Sequence, residues 1–236
     1  MNPYSTWTDL KHIDLALFPI GSLEQHGYHL PINTDSLIAE AIANQLAKTL
    51  THRSFVIPNL PFSASFEHAH FPGSISLCSE TIIHVVKDVI HSLERMGITK
   101  CVIVNGHGGN MLFGNIAQEM NVNSPKLLIT PSRKHWDRAY EKANLSTTIS
   151  RDMHAGEGEA SILLSLLQEG TIKTDHYQDV DSPRRDLFQV LGIKPYSKTG
   201  AIGFPTRASA EKGKALLHAL TDEIKLTVED FLKLGS

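Results

Sequence analysis

Glu24 and His26 stand one residue apart in the segment GSLEQHGYHLPINTD, and in an extended chain side chains two positions apart point to the same side. A carboxylate and an imidazole aimed at one point is a metal-ligand pattern, although an isolated Glu-x-His triplet is ordinarily a polar loop and no more. Asp35 ends the same segment at an expected helix N-terminus, where capping is its usual work. Its two oxygens also allow it to bridge two cations ~3.5 to 4 Å apart, the spacing of dinuclear hydrolases. His107 lies in the turn NGHGGN, whose glycines suit a close approach of backbone to a metal or substrate. A dinucleotide loop is the competing reading, and it fails because Met111 stands where GxGxxG requires its third glycine.

A further segment, MHAGEGEAS, carries His154, Glu157 and Glu159. On a helix turning about 100° per residue, Glu157 and Glu159 face nearly opposite ways, so at most one of them enters a site. Glu159 shares a stripe with Leu163 and Leu166, where a carboxylate is costly unless paired or bound to a metal. Glu157 is expected to be solvated at the helix N-terminus, where the helix dipole favours an anion. His154, just ahead, is either a loop histidine or a group that passes a proton to a leaving amine.

These segments need a scaffold that brings them together. Ile13 to Ile20 reads as a buried strand, followed by the Glu24 loop and a helix to about Leu50 with Thr34 or Asp35 as cap. SFVIP, KCVIV and KLLIT read as further strands, each joined by loop and helix to the next; Ile82 to Leu93 mark one helix face ending at Gly97. Alternating strands and helices predict an α/β fold, a largely parallel sheet covered on both faces. Ligand sites in such sheets form at the carboxyl ends of the strands, which is where the histidine loops fall. Glu157 to Gln168 and Ala210 to Leu234 read as helices. Residues 169–199 carry little pattern and are expected either to close over the site or to meet a neighbouring subunit.

The bulk composition narrows the partners. The chain has 236 residues, 41% hydrophobic, enough for one compact domain over 1–236. With 22 basic and 25 acidic residues, a formal charge of -3 gives no reason to expect nucleic acid or acidic lipid. Cys78 and Cys101 are the only cysteines, in no CxxC spacing, and read as reduced core residues rather than a disulfide or thiolate site. The N-terminal segment resembles neither a signal peptide nor a membrane span, so the expected location is cytoplasmic. No GxSxG elbow, HExxH helix or GxxxxGK[ST] loop occurs, which leaves a metal-activated water as the nucleophile.

Taken together, GSLEQHGYHLPINTD, FEHAHFPGS, NGHGGN, HAGEGEAS and GFPTRASAEKG resemble, in order, the motifs of the creatininase family, spanning residues 21–213. The resemblance implies a three-layer α/β/α fold with a mostly parallel central sheet, a homo-oligomer that is often hexameric, and hydrolysis of an amide C–N bond in a small-molecule substrate. Carried over by position, Glu24, Asp35 and His107 would hold one divalent metal, His26 and the bridging Asp35 a second, and His154 would transfer the proton. The creatinine-hydrolysing enzymes resemble NGHxEN at this turn, whereas this chain has Gly109 in place of the glutamate. The place of that carboxylate falls either to Glu159, already expected from its helix face to point inward, or to water. Gly109 also points away from creatinine, toward branches that include a formamidopyrimidine-nucleotide deformylase and a peptidase. Oxygen and imidazole ligands without thiolate suit zinc, manganese or iron(II). Two rivals remain at this level: a dinuclear phosphoesterase, which would use Arg184, Arg185 or Arg207 on phosphate, and a non-catalytic metal- or nucleotide-binding module, which would have no use for His154.

Overall fold

The computed structural model describes residues 1–234. Its sheet consists of β1 (Leu15–Ile20), β2 (Ser54–Val56), β3 (Cys101–Asn105) and β4 (Leu127–Thr130), all parallel, in the order β2-β1-β3-β4. Leu17 pairs with Val56 on one side and Val102 on the other, which sets the register of the sheet's centre. β2 is shorter than SFVIP suggested. Ile57 still donates to Leu17 at 3.0 Å, and Pro58 then has no N–H to continue the ladder.

Both faces of the sheet are covered, which is why its strands read as continuous apolar runs. Leu15, Leu17, Val102 and Val104 pack against α1 (Thr34–Thr49), α4 (Arg133–Lys142), α5 (Glu157–Leu166) and α7 (Ala210–Lys233). Ala16, Phe18, Ile20, Cys101 and Ile103 pack against α2 (Ser79–Arg95) and α3 (Leu112–Met120). The period-two alternation within each strand therefore sorts the chain into two cores and gives the expected three-layer α/β/α architecture.

Several local expectations change. Asn33, not Thr34 or Asp35, occupies the N-cap of α1, because the Thr34 hydroxyl turns back to the Pro31 carbonyl at 2.7 Å and the Asp35 carboxylate is engaged elsewhere. α5 stops at Leu166, and that residue is 41% exposed while Ile162 and Leu163 are buried. The inward stripe thus runs from Glu159 to Ile162 and Leu163 and excludes Leu166. Cys101 is buried, its thiol pushed up to about 12 by desolvation, but Cys78 is exposed at the start of α2 instead of lying in the core. Among the described residues no helix is long and apolar enough to cross a membrane.

Candidate metal centre

Two glycines seat the first turn of α1 against the carboxyl ends of β1 and β3. A Cβ on Gly21 would lie 2.4 Å from the Ser36 backbone, and one on Gly106 would lie 2.3 Å from the Asp35 carbonyl oxygen. Any larger residue at either place would push α1 outward and carry Asp35 with it. The glycine of NGHGGN that follows β3 therefore admits helix backbone. With α1 held there, Asp35 presents one oxygen to each of two histidines: Oδ1 is 3.0 Å from His26 Nε2, and Oδ2 is 3.1 Å from His107 Nδ1.

The opposite ring nitrogens reveal what those contacts are for. His107 Nε2 lies 2.9 Å from the Ala64 carbonyl and His26 Nδ1 lies 3.1 Å from the Glu24 carbonyl, so in each ring that nitrogen carries the donating hydrogen. The inner nitrogen of each ring then faces carboxylates: His107 Nδ1 faces Glu24 and Asp35, both at 3.1 Å, and His26 Nε2 faces Asp35 and, at 3.8 Å, Glu159. An imidazole nitrogen meets a carboxylate favourably only with a cation between them, a proton on the ring or a metal ion in its place. Asp35 Oδ2 is moreover buried without a hydrogen-bond partner, a costly arrangement that a cation would relieve. Burial alone would lower both histidines, yet the surrounding carboxylates lift His26 to about 9 and His107 well above the ordinary range. Burial would likewise raise Glu24, but His107 and His68 bring it down to about 2. The cluster attracts positive charge, and its oxygen and imidazole donors fit a divalent metal.

His154 sits against this cluster, its ring centroid 4.2 Å from that of His26 and 4.4 Å from that of His68. Its Nε2 donates to the Gln25 carbonyl at 2.7 Å, which leaves Nδ1 free, 3.7 Å from Glu24 Oε1. Burial and the neighbouring His26 and His68 depress its basicity, so the ring is held neutral. Gln25 alternates out of the Glu24–His26 row but is buried, and the backbone defines its amide orientation. Oε1 accepts from Gly27 N and Nε2 donates to the Gly200 carbonyl, leaving a second N–H for His68 Nδ1 at 2.8 Å. His68 accordingly carries its own hydrogen on Nε2, 3.2 Å from Glu24 Oε1. Sequence reasoning gave neither Gln25 nor His68 a role. His68 lay in a flagged loop, but only its packing beside Glu24 separates it from His70 in the same loop, which is exposed.

α5 separates its two glutamates as helical geometry required. Glu159 turns toward His26, accepts from Ala155 N at 2.6 Å, and is raised to about 7 by burial against the opposing pull of His26. Glu157 is not solvated as expected. It is fully buried, accepting from Ser146 N, from the Thr147 hydroxyl, and from Lys212 Nζ at 2.5 Å. The helix N-terminus is instead served by Asp152, whose oxygens receive the amides of Glu157 and Gly158 at 2.7 and 2.8 Å. Glu157→Gln is therefore expected to destabilise the fold by about 1–3 kcal/mol, the loss of a buried charged partner, in urea unfolding at neutral pH. Burial works to raise the Glu157 carboxyl, but Lys212 and the Ser146 amide outweigh it, so its folded value is lowered. The stabilisation is thus present above the unfolded value of about 4.3 and fades as pH falls through the folded one. Wild type and variant should converge in acid; a gap that persists there, or none at pH 7, would show that the pair contributes nothing.

The cluster opens into a cleft of about 690 Å³. Asp35, His107, Met153, His154 and Glu159 form its floor, and Arg185, Asp186, Phe188 and Gln189 form its far wall. The last two belong to a single helical turn, α6 (Phe188–Leu191), so part of the patternless stretch 169–199 lines the cleft. Arg185 is occupied by the Ser150 and Ser182 carbonyls, and neither Arg184 nor Arg207 lines the cleft.

A parallel α/β sheet whose carboxyl edge gathers histidines around a shared buried carboxylate defines a protein of the metal-dependent hydrolase class. The family model for creatininase, creatinine amidohydrolase, matches residues 3–227, and the chain belongs to that family. It is a hydrolase of the amidohydrolase type. The chain is 31% identical over 219 residues to the mycofactocin precursor peptide peptidase of Mycobacterium tuberculosis H37Rv, covering 88% of this chain and 81% of the relative. It is 32% identical over 203 residues to the 2-amino-5-formylamino-6-ribosylaminopyrimidin-4(3H)-one 5'-monophosphate deformylase of Methanococcus maripaludis C7, covering 84% and 80%. Its fold superposes on a manganese form of creatininase with a TM-score of 0.80 at 24% identity, covering 98% and 97% of the two chains.

Proposed function

We propose that this chain hydrolyses an open amide, a formamide or a peptide bond, in preference to creatinine, using two divalent ions. In this reading Glu24, Asp35 and His107 hold one ion, and His26, the bridging Asp35 and Glu159 hold the other, each being zinc, manganese or iron(II). The observation that supports it most is the pair of imidazole nitrogens, His26 Nε2 and His107 Nδ1, on opposite oxygens of one buried carboxylate. Gly109 in place of a glutamate, and relatives that act on a precursor peptide and a formylated nucleotide, support the choice of substrate.

Bound there, the ions would supply Lewis-acid polarisation of the substrate carbonyl and acidify a water. The chain's own contribution is the proton path. His154 has committed Nε2 to the Gln25 carbonyl, so it accepts a proton at Nδ1, on the cluster side, and releases it to the departing nitrogen. Glu24 is steadied by Ser22 and His68, and Phe188 and Gln189 line the cleft into which the cluster opens. The cytoplasmic location and the homo-oligomeric, hexameric assembly remain part of the proposal, the latter measurable by light scattering on the purified protein.

Elemental analysis of protein reconstituted with each metal, followed by turnover on formamides, peptides and cyclic amides, tests the reading. Release of formate or a new amine is expected, with no inorganic phosphate from phosphoesters; metal content near zero under every condition would remove it. Glu159→Gln is expected to lower occupancy of the second ion and turnover together, because it weakens one oxygen donor beside His26. Full metal content and full turnover in that variant would show that other groups hold the ion.

A further inference from the structure

The 3-10 turn Phe66–His68 delivers two consecutive side chains to two different members of the cluster. His68 reaches Glu24, as described. Glu67 reaches the far side of His107: its Oε1 lies 3.3 Å from His107 Nε2, the nitrogen that also faces the Ala64 carbonyl at 2.9 Å. The space it uses exists because residue 109 is glycine. A Cβ at that position would stand 2.2 Å from Glu67 Oε1 and 2.3 Å from His107 Nε2, so no side chain could be added there without displacing either the carboxylate or the ring. The backbone of Glu67 is pinned as well, its carbonyl accepting from Ile193 N at 3.0 Å, in the segment that follows the turn α6.

We infer that Glu67 is a positioning residue of the proposed centre, a carboxylate that shares the Nε2–H of His107 with the Ala64 carbonyl and so keeps Nδ1 directed between Glu24 and Asp35. The inference rests on the reading of His107 as a ligand. A carboxylate on the outer nitrogen secures the tautomer, orients the ring and makes the inner nitrogen a stronger donor. It also gives Gly109 a reason of its own: the absence of a side chain there leaves room for Glu67 to reach the outer nitrogen of His107. The tie to Ile193 joins this support to the segment whose Phe188 and Gln189 line the cleft.

The test uses full-length wild type, Glu67→Gln and Glu67→Ala, with zinc affinity measured by competition against a chromogenic chelator and unfolding midpoints measured on metal-free protein. Glu67→Gln keeps the shape and loses the charge, and a weakening of roughly 10-fold is expected; Glu67→Ala should reach toward 100-fold, the range for loss of such a partner. The metal-free midpoint of Glu67→Gln should stay near wild type, and in the zinc-loaded protein the His107 Nε2–H proton resonance should move upfield. Wild-type affinity in both variants, or a fall in midpoint with no loss of affinity, overturns the inference while leaving the proposed function standing. Failure of the wild type itself to bind zinc, manganese or iron(II) overturns both.

Discussion

Asp35→Ala is expected to lose both ions, whereas His26→Ala loses chiefly one. Asp35 is the residue whose two oxygens meet two different imidazoles, His26 at 3.0 Å and His107 at 3.1 Å. Removing it breaks both halves of the centre and leaves Glu24, His107, His26 and Glu159 as two incomplete sets. His26→Ala removes one nitrogen and leaves Glu24, Asp35 and His107 together. Turnover of Asp35→Ala should fall by at least ~10³-fold, because a water of pKa about 15.7 replaces one brought near 7 by metal. Asp35→Asn separates charge from shape, and it too should bind less metal, since an amide offers a single weak oxygen donor. Metal analysis and titration calorimetry on the three variants read the difference directly. Equal metal content in wild type and Asp35→Ala would reduce this residue to a structural part of the first turn of α1.

His154→Ala should show the opposite pattern, full metal content with turnover reduced roughly 10²- to 10⁴-fold, the usual contribution of a positioned acid or base. His154 Nδ1 is 3.7 Å from Glu24 Oε1 and its other nitrogen is taken by a backbone carbonyl, so the ring is placed to exchange a proton beside the centre. KM should change much less than kcat, because the interaction is needed in the transition state and not for binding. A leaving group that departs without protonation, such as an activated anilide, should recover most of the lost rate. Loss of metal along with rate would instead make His154 a ligand, a role its proximity to His26 and Glu159 would permit.

Much of the site was legible because several of its signals are local. Glu24 and His26 share a face by strand geometry, and Glu157 and Glu159 diverge by helix geometry; both relations hold in the folded protein. The divergence did not reveal where each arm ends. Glu157 read as a solvated anion because Lys212 and Ser146, which bury it, are far away in the chain. Gln25, Glu67 and His68 went unassigned for the same reason, since each meets its partner in another loop: Gln25 and His68 one another, His68 also Glu24, and Glu67 the His107 ring.

By itself the sequence determined the alternation of strand and helix, the two-faced burial of the sheet, the carboxyl edge as the place for chemistry, and the oxygen and imidazole character of the donors. These follow from periodicity and residue type, which act within one element and survive small errors in its ends. Only the tertiary structure decided which nitrogen of each histidine faces the carboxylates, that Asp35 faces two rings at once instead of capping its helix, and that Arg185 to Gln189 line the cleft. Those outcomes depend on close approaches between segments distant in the chain, Gly21 and Gly106 against the start of α1 and Gly109 against Glu67, where a single Cβ would move a donor out of reach. Spacing along a chain can aim a side chain, but packing alone brings the atoms it meets to within 3 to 4 Å of it.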